Sequence, residues 1–175
     1  MASVIVEIFR VAMRIAAALS ILVFFCAAAF LLFMSWKIPV HNYQLYVLQK
    51  HFRHTMQPIH PPQSTLIAEM AEFGNFGNSN HCDYLVGEFR SSALPREEVQ
   101  KAYGEVKVLS FDGVSHLPLE IYFAETLREA AEHDYYWQSW LETYLPAQKH
   151  ALYQDTYFVS VASDMHSPDG DLRCH

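Results

Sequence analysis

Residues 64–73 read STLIAEMAEF and residues 81–91 read HCDYLVGEFRS, with GNFGNSN (74–80) between them. How this stretch pairs decides the fold. In the second segment Cys82, Tyr84 and Val86 alternate with Asp83 and Leu85, the period of two by which a strand turns one set of side chains inward. The first segment is mixed in character. Its Ala, Glu and Met residues favour a helix, but Leu66, Ala68 and Met70 alternate. The connector is rich in Gly and Asn, which tolerate positive φ, so the two segments are expected to form a hairpin.

The elements downstream extend that hairpin into a domain. SSALPREEVQKAYG (91–104) predicts a short helix: Pro95 presets the first turn, Glu97 and Glu98 sit at the positive end of the helix dipole, and Gly104 stops it. VKVLSF (106–111) predicts a strand, Asp112-Gly113 a tight turn, and HLPLEIYF (116–123) the partner strand, with Pro118 at an edge or a bulge. AETLREAAEHDYYWQSWLETYL (124–145) carries a helical apolar stripe, and Asp134 falls inside it. A buried carboxylate without a partner is costly, which predicts a helix break at Asp134. DTYFVSVAS (155–163) predicts a last strand. Strands in pairs with helices between the pairs define an α+β domain built on a mainly antiparallel sheet.

The N-terminus is of a different kind. Ile15–Met34 is a run of twenty residues without a charge, about 30 Å as a helix and so the thickness of a bilayer core. Arg10 and Arg14 precede it, and Trp36 and Lys37 close it with the aromatic and the cation suited to headgroup depth. A cleaved signal peptide would use the small residues Ala27–Ala29, but Phe30–Met34 would then become a greasy new N-terminus. The expectation is an uncleaved single-pass anchor meeting the lipid bilayer through residues 15–36. Arg10 and Arg14 favour a cytoplasmic N-terminus, against Lys37, Lys50 and Arg53 on the other flank. This places the C-terminal domain outside the cytoplasm, in a periplasmic or extracellular space. The chain accordingly divides into a leader and transmembrane anchor (1–37), a juxtamembrane helix with a Pro-rich linker (38–63) and an extracytoplasmic α+β domain (64–175). NYQLYVLQKHFRHTM (42–56) places Leu45, Leu48, Phe52 and Met56 on one helical face, which fits either the headgroup region or packing on the domain. Pro39 separates this helix from the span, and PIHPP (58–62) ends it.

Charge excludes one class of partner. Residues 38–175 hold 9 Lys and Arg against 18 Asp and Glu, a balance that repels phosphate backbones and argues against nucleic acid.

The chemistry-bearing residues are sparse. Cys82 and Cys174 are an even pair in an oxidising compartment and are expected to form a disulfide, closing a long loop that pins the C-terminal tail. His81, Cys82 and Asp83 have the residue types of a thiol hydrolase or a metal site. Neighbours on a strand point to opposite faces, however, and triads converge from separate segments. No HExxH, GxSxG or CxxC is present, and Gly74-x-x-Gly77 lacks a phosphate-binding cation between Arg53 and Arg90. No catalytic residue, metal site or cofactor is therefore assigned. The excess of Gly and Asn makes Gly74, Asn75, Phe76, Gly77, Asn78, Asn80 and His81 a candidate recognition loop. Tyr135, Tyr136, Trp137, Trp140 and Tyr144 surround one helical segment and form a candidate interaction surface, since one helix face cannot bury them all. The expected function is a non-catalytic accessory or interaction subunit of a membrane assembly with protein partners. The alternative is a membrane-tethered hydrolase or metal-binding protein using the His81-Cys82-Asp83 region.

Overall fold

The computed structural model describes residues 2–75, 82–133, 141, 143, 155–166, 171 and 173. Two helices open the chain: α1 (Ala2–Ser35) and α2 (Lys37–Met56), separated by Trp36 alone. Pro39 explains the break. It has no N–H to give the Ser35 carbonyl four residues earlier, and its ring crowds that carbonyl. Pro39 therefore lies in the first turn of α2, where the sequence reading made it a separator before a helix at 42–56. The helix from Arg10 onward is long and apolar enough to cross a bilayer, and its apolar window is not buried in the protein at all.

The hairpin is present. Strands β1 (Ser64–Gly74) and β2 (Cys82–Ser92) pair antiparallel, from Ser64 opposite Ser92 to Gly74 opposite Asp83. A bulge between Leu66 and Ala68 leaves Ile67 unpaired, and Ile67 and Ala68 both pack into the same cluster. Helix α3 (Arg96–Tyr103) follows within 91–104, capped by Pro95 and Gly104 as the first-turn and stop residues expected, and β2 runs on to Ser92 before it. Next come β3 (Lys107–Leu109), β4 (His116–Pro118), β5 (Glu120–Phe123), α4 (Ala124–His133) and β6 (Thr156–His166).

One expectation is corrected here. Residues 116–123 are two strands: β4 pairs with β3 in a two-stranded sheet, whereas β5 joins β6 in the main sheet. Pro118 ends β4 for want of a ladder N–H, and Leu119 carries the chain across. The turn at Asp112-Gly113 is as read: Gly113 has φ 72, and Asp112 Oδ1 accepts from the Val114 and Ser115 amides. The break expected at Asp134 lies outside the described residues.

The main sheet is antiparallel in the order β1-β2-β6-β5, as expected for the α+β class. Both its faces are covered. On one face Tyr84, Val86, Tyr157, Val159 and Val161 pack with Leu48, Phe52 and Met56 of α2 and with Val99 and Tyr103 of α3. On the other, Met70, Leu85, Phe89 and Phe158 meet Leu127 of α4 and Leu141. Leu48 and Met56 are fully buried, so the second of the two placements open for this helix holds: it is a core element of the domain. The helix that leaves the apolar span thus enters the core directly.

Candidate functional site: a charged cavity between α2 and the sheet edge

Alternation along β2 puts Glu88 and Arg90 on the face that α2 covers, in line with Cys82, Tyr84 and Val86. Both are buried. Arg90 Nη1 donates to Glu88 Oε2 at 2.6 Å, and Arg90 Nε donates to Ser64 Oγ at 3.3 Å. From the turn after α2, His60 Nε2 comes within 3.2 Å of the same Glu88 oxygen. His60 Nδ1 lies 3.1 Å from Tyr103 Oη, which lies 3.0 Å from Tyr157 Oη. Burial alone raises the Glu88 carboxyl, but the hydrogen bonds and charges of His60 and Arg90 outweigh it and hold the group below its ordinary value. Glu88 is therefore an acceptor, and His60 Nε2 carries a hydrogen. His60 Nδ1, Tyr103 Oη and Tyr157 Oη thus continue the network inward from Glu88, each within hydrogen-bond distance of the next. Burial and the bond to Tyr157 push the Tyr103 phenol well up, so it stays protonated.

In front of this network is a cavity of about 220 Å³ lined by Arg53, Gln57, His60, Glu69 and Glu88. Glu69 on β1 stands directly opposite Glu88 on β2. Like charges facing each other across strands are destabilising unless cations intervene. Glu88 has Arg90 and His60; Glu69 is paired with Arg53 of α2. The Arg53 side chain is 55% exposed and that of Glu69 35%, so this second bridge is solvent-screened and weak. Both His60 nitrogens are engaged, which makes His60 a brace for Glu88 and not a free base. Among the described residues no three His, Cys, Asp or Glu side chains converge as a metal site.

The other end of the α2 face holds a second polar group. His41 Nδ1 lies 2.9 Å from Asp171 Oδ2, and Arg173 donates to Asp171 through Nε at 3.0 Å and Nη2 at 2.6 Å. His41 and the Arg173 guanidinium both pack on Phe73, and Tyr84 O–H donates to Gln44 nearby.

The residues singled out from sequence fare unevenly. Cys82 is fully buried and is not a free thiol, whereas Cys26 in α1 is. Gly74 ends β1 and Asn75 follows it. Phe76, Gly77, Asn78, Asn80 and His81 of the candidate loop, the aromatics Tyr135, Tyr136, Trp137, Trp140 and Tyr144, and Cys174 lie outside the described residues. Of the histidines on α2 nearest His60, His51 points its Nδ1 at the Leu109 and Ser110 carbonyls, and His54 is exposed. The cavity itself was not foreseen. Its one local signal is GEFR (87–90), which sets two opposite charges on the face that alternation buries.

Comparison with protein-family models, with curated proteins and with solved structures finds no match to this chain.

Proposed function

We propose that this chain is a single-pass membrane-anchored protein that presents an acidic extracytoplasmic α+β domain as a non-catalytic accessory or interaction subunit of a membrane assembly. One observation carries the reading: α2 follows the apolar helix after a single intervening residue and then supplies Leu48, Phe52 and Met56 to the core. A domain mounted in this way has no flexible tether on which to reach for diffusing substrates. It is held at a fixed height, as a subunit of an assembly is. Arg10 and Arg14, against Lys37, Lys50 and Arg53 on the other flank, support a cytoplasmic N-terminus with the acidic domain outside.

A Cys82–Cys174 bridge belongs to this reading. Cys82 is not a free thiol, and Asp171 and Arg173 hold the tail against Phe73, which packs on Tyr84 two residues from Cys82. The hydrolase alternative draws no support from Cys82, which is too buried to serve as a nucleophile.

Alkaline carbonate extraction of membranes carrying the full chain, with protease added to sealed vesicles of each orientation, tests the anchor and its topology. The chain should stay in the pellet, and the domain should be cut only from the extracytoplasmic side. Release into the carbonate supernatant, or digestion only from the cytoplasmic side, overturns this reading. Recovery from mild detergent as a lone monomer overturns the assembly.

A further inference from the structure

The geometry points to the Glu69/Glu88 cavity as a receptor for a cationic side chain, a lysine ammonium or an arginine guanidinium, presented by a protein partner. This deepens the interaction-subunit reading, on which the choice of a protein as the source of the cation rests.

Two carboxylates face each other across β1 and β2 and both line the cavity. They are served unequally. Glu88 is satisfied from inside the domain by Arg90 and His60. Among the described residues Glu69 has one cation, the Arg53 side chain reaching over from α2, and that arm is more than half exposed. An exposed bridge of this kind is displaced at little cost. Arg53 therefore occupies the place of a cation that arrives from outside. A volume of about 220 Å³ admits an alkylammonium or guanidinium head with its last methylenes. The Gln57 amide on the wall offers one more acceptor.

Other occupants fit less well. An anion would find Arg53 on the wall but would meet both carboxylates at close range. A metal ion lacks a third converging ligand among the described residues. A lipid amine is the less suited source, since about 28 Å of helix rise separates Arg53 from Met34 along the chain. The excess of acid in residues 38–175 steers a basic partner toward this domain.

The test uses the full chain in detergent micelles, titrated with Nα-acetyl-lysine N-methylamide, the matching arginine compound and the neutral norleucine analogue. The readout is NMR of the His60 ring and the Gln57 side-chain amide. The lysine or arginine probe should shift both signals saturably, and norleucine should bind at least about tenfold more weakly, the scale of a charge-assisted bond. Glu69→Gln should weaken the cation about five- to tenfold, whereas Arg53→Gln should tighten it about two- to fivefold by removing the competing arm. The opposite signs separate cation binding from general damage, because both substitutions lie at exposed positions. Equal binding of norleucine, weaker cation binding in Arg53→Gln, a larger response to acetate or phosphate, or no saturable shift up to the solubility limit of the probes would each overturn the assignment. None of these outcomes bears on the carbonate and protease results, so the site and the topology fail separately.

Discussion

His41 and Asp171 stand 130 positions apart in the chain and 2.9 Å apart in space. The contact ties the C-terminal tail to the start of α2, where the domain meets the apolar helix. Asp171 is fully buried and also receives Arg173, whose guanidinium lies 4.9 Å over the Phe73 ring. Asp171→Ala takes away the buried carboxylate that His41 and Arg173 share, and Arg173 keeps its bond to Asn42. We expect a loss of about 2–4 kcal/mol, the cost of breaking a buried hydrogen-bonded charge pair. Thermal unfolding measures the loss, and limited proteolysis should cut the variant first near its C-terminus. An unchanged melting temperature would mean that the tail contributes nothing to the domain.

Gly87 sits where the sheet has no room for a side chain. A Cβ there would stand 2.6 Å from Phe158 Cε2 and Cζ and 2.8 Å from the Val159 carbonyl oxygen. Phe158 lies flat against Phe89, with ring centroids 4.5 Å apart, so it cannot yield without opening that stack. Gly87→Ala should therefore cost about 1–3 kcal/mol by overpacking. Phe158→Leu alone is destabilising as well, but added to Gly87→Ala it should cost less than it does in the parent. A double-mutant cycle by chemical denaturation reads this coupling; strict additivity would refute it.

What could be read from the sequence follows how local each signal was. The hairpin at 64–91 was legible because Cys82, Tyr84 and Val86 alternate on their own strand and the connector carries its own turn chemistry. The split of 116–123 was not. The residues on either side of Leu119 look alike, and only the pairing of β5 with a strand more than thirty residues later distinguishes them. The helix after the span was found with its end at Met56, but its start was placed at residue 42 and lies at Lys37, because Pro39 reads as a boundary while its steric effect falls four residues upstream, next to Trp36. At the cavity, the inward placement of Glu88 and Arg90 followed from alternation. Glu69 reaches its place opposite Glu88 only through the β1–β2 register and the bulge at Ile67, and His60 lies in a stretch that reads as linker.

Two buried carboxylates make the domain sensitive to acid. For Glu88 and Asp171 alike, burial works to raise the carboxyl. At Glu88 the hydrogen bonds of His60 and Arg90 outweigh it; at Asp171 those of Arg173 and His41 do. Both groups are thus held below their ordinary values of 4.5 and 3.8. A lowered folded value means that the unfolded chain binds protons first, so stability is fully present above the ordinary values and is lost as the pH falls through the folded ones. Denaturation midpoints should hold near pH 7 and then drop steadily as the pH falls below about 5. Glu88→Gln, which has no carboxyl to titrate, should show a shallower drop over that window. A parallel drop would remove Glu88 from the account.

The Glu88–Arg90 pair poses a sharper question, whether the sheet gains stability from the two charges or only from their being together. Glu88 accepts from Arg90 and His60 at one oxygen, and Arg90 has no other carboxylate among the described residues. Removing Glu88 alone strands a guanidinium that is 9% exposed. Glu88→Leu should therefore cost about 3–5 kcal/mol, and Arg90→Leu a similar amount for the carboxylate it leaves behind. Replacing both by Leu removes the desolvation penalty of each ion along with their attraction, and the neighbouring Val86 and Val159 already supply an apolar surround. The double variant should be less destabilised than either single one, with a coupling of at least about 2 kcal/mol in the cycle. His60 sets a limit on the recovery, since without Glu88 its Nε2–H must turn to the cavity water. If the double variant instead loses the sum of the two single losses, the pair stabilises the sheet in its own right, and the cavity wall is built on that stability.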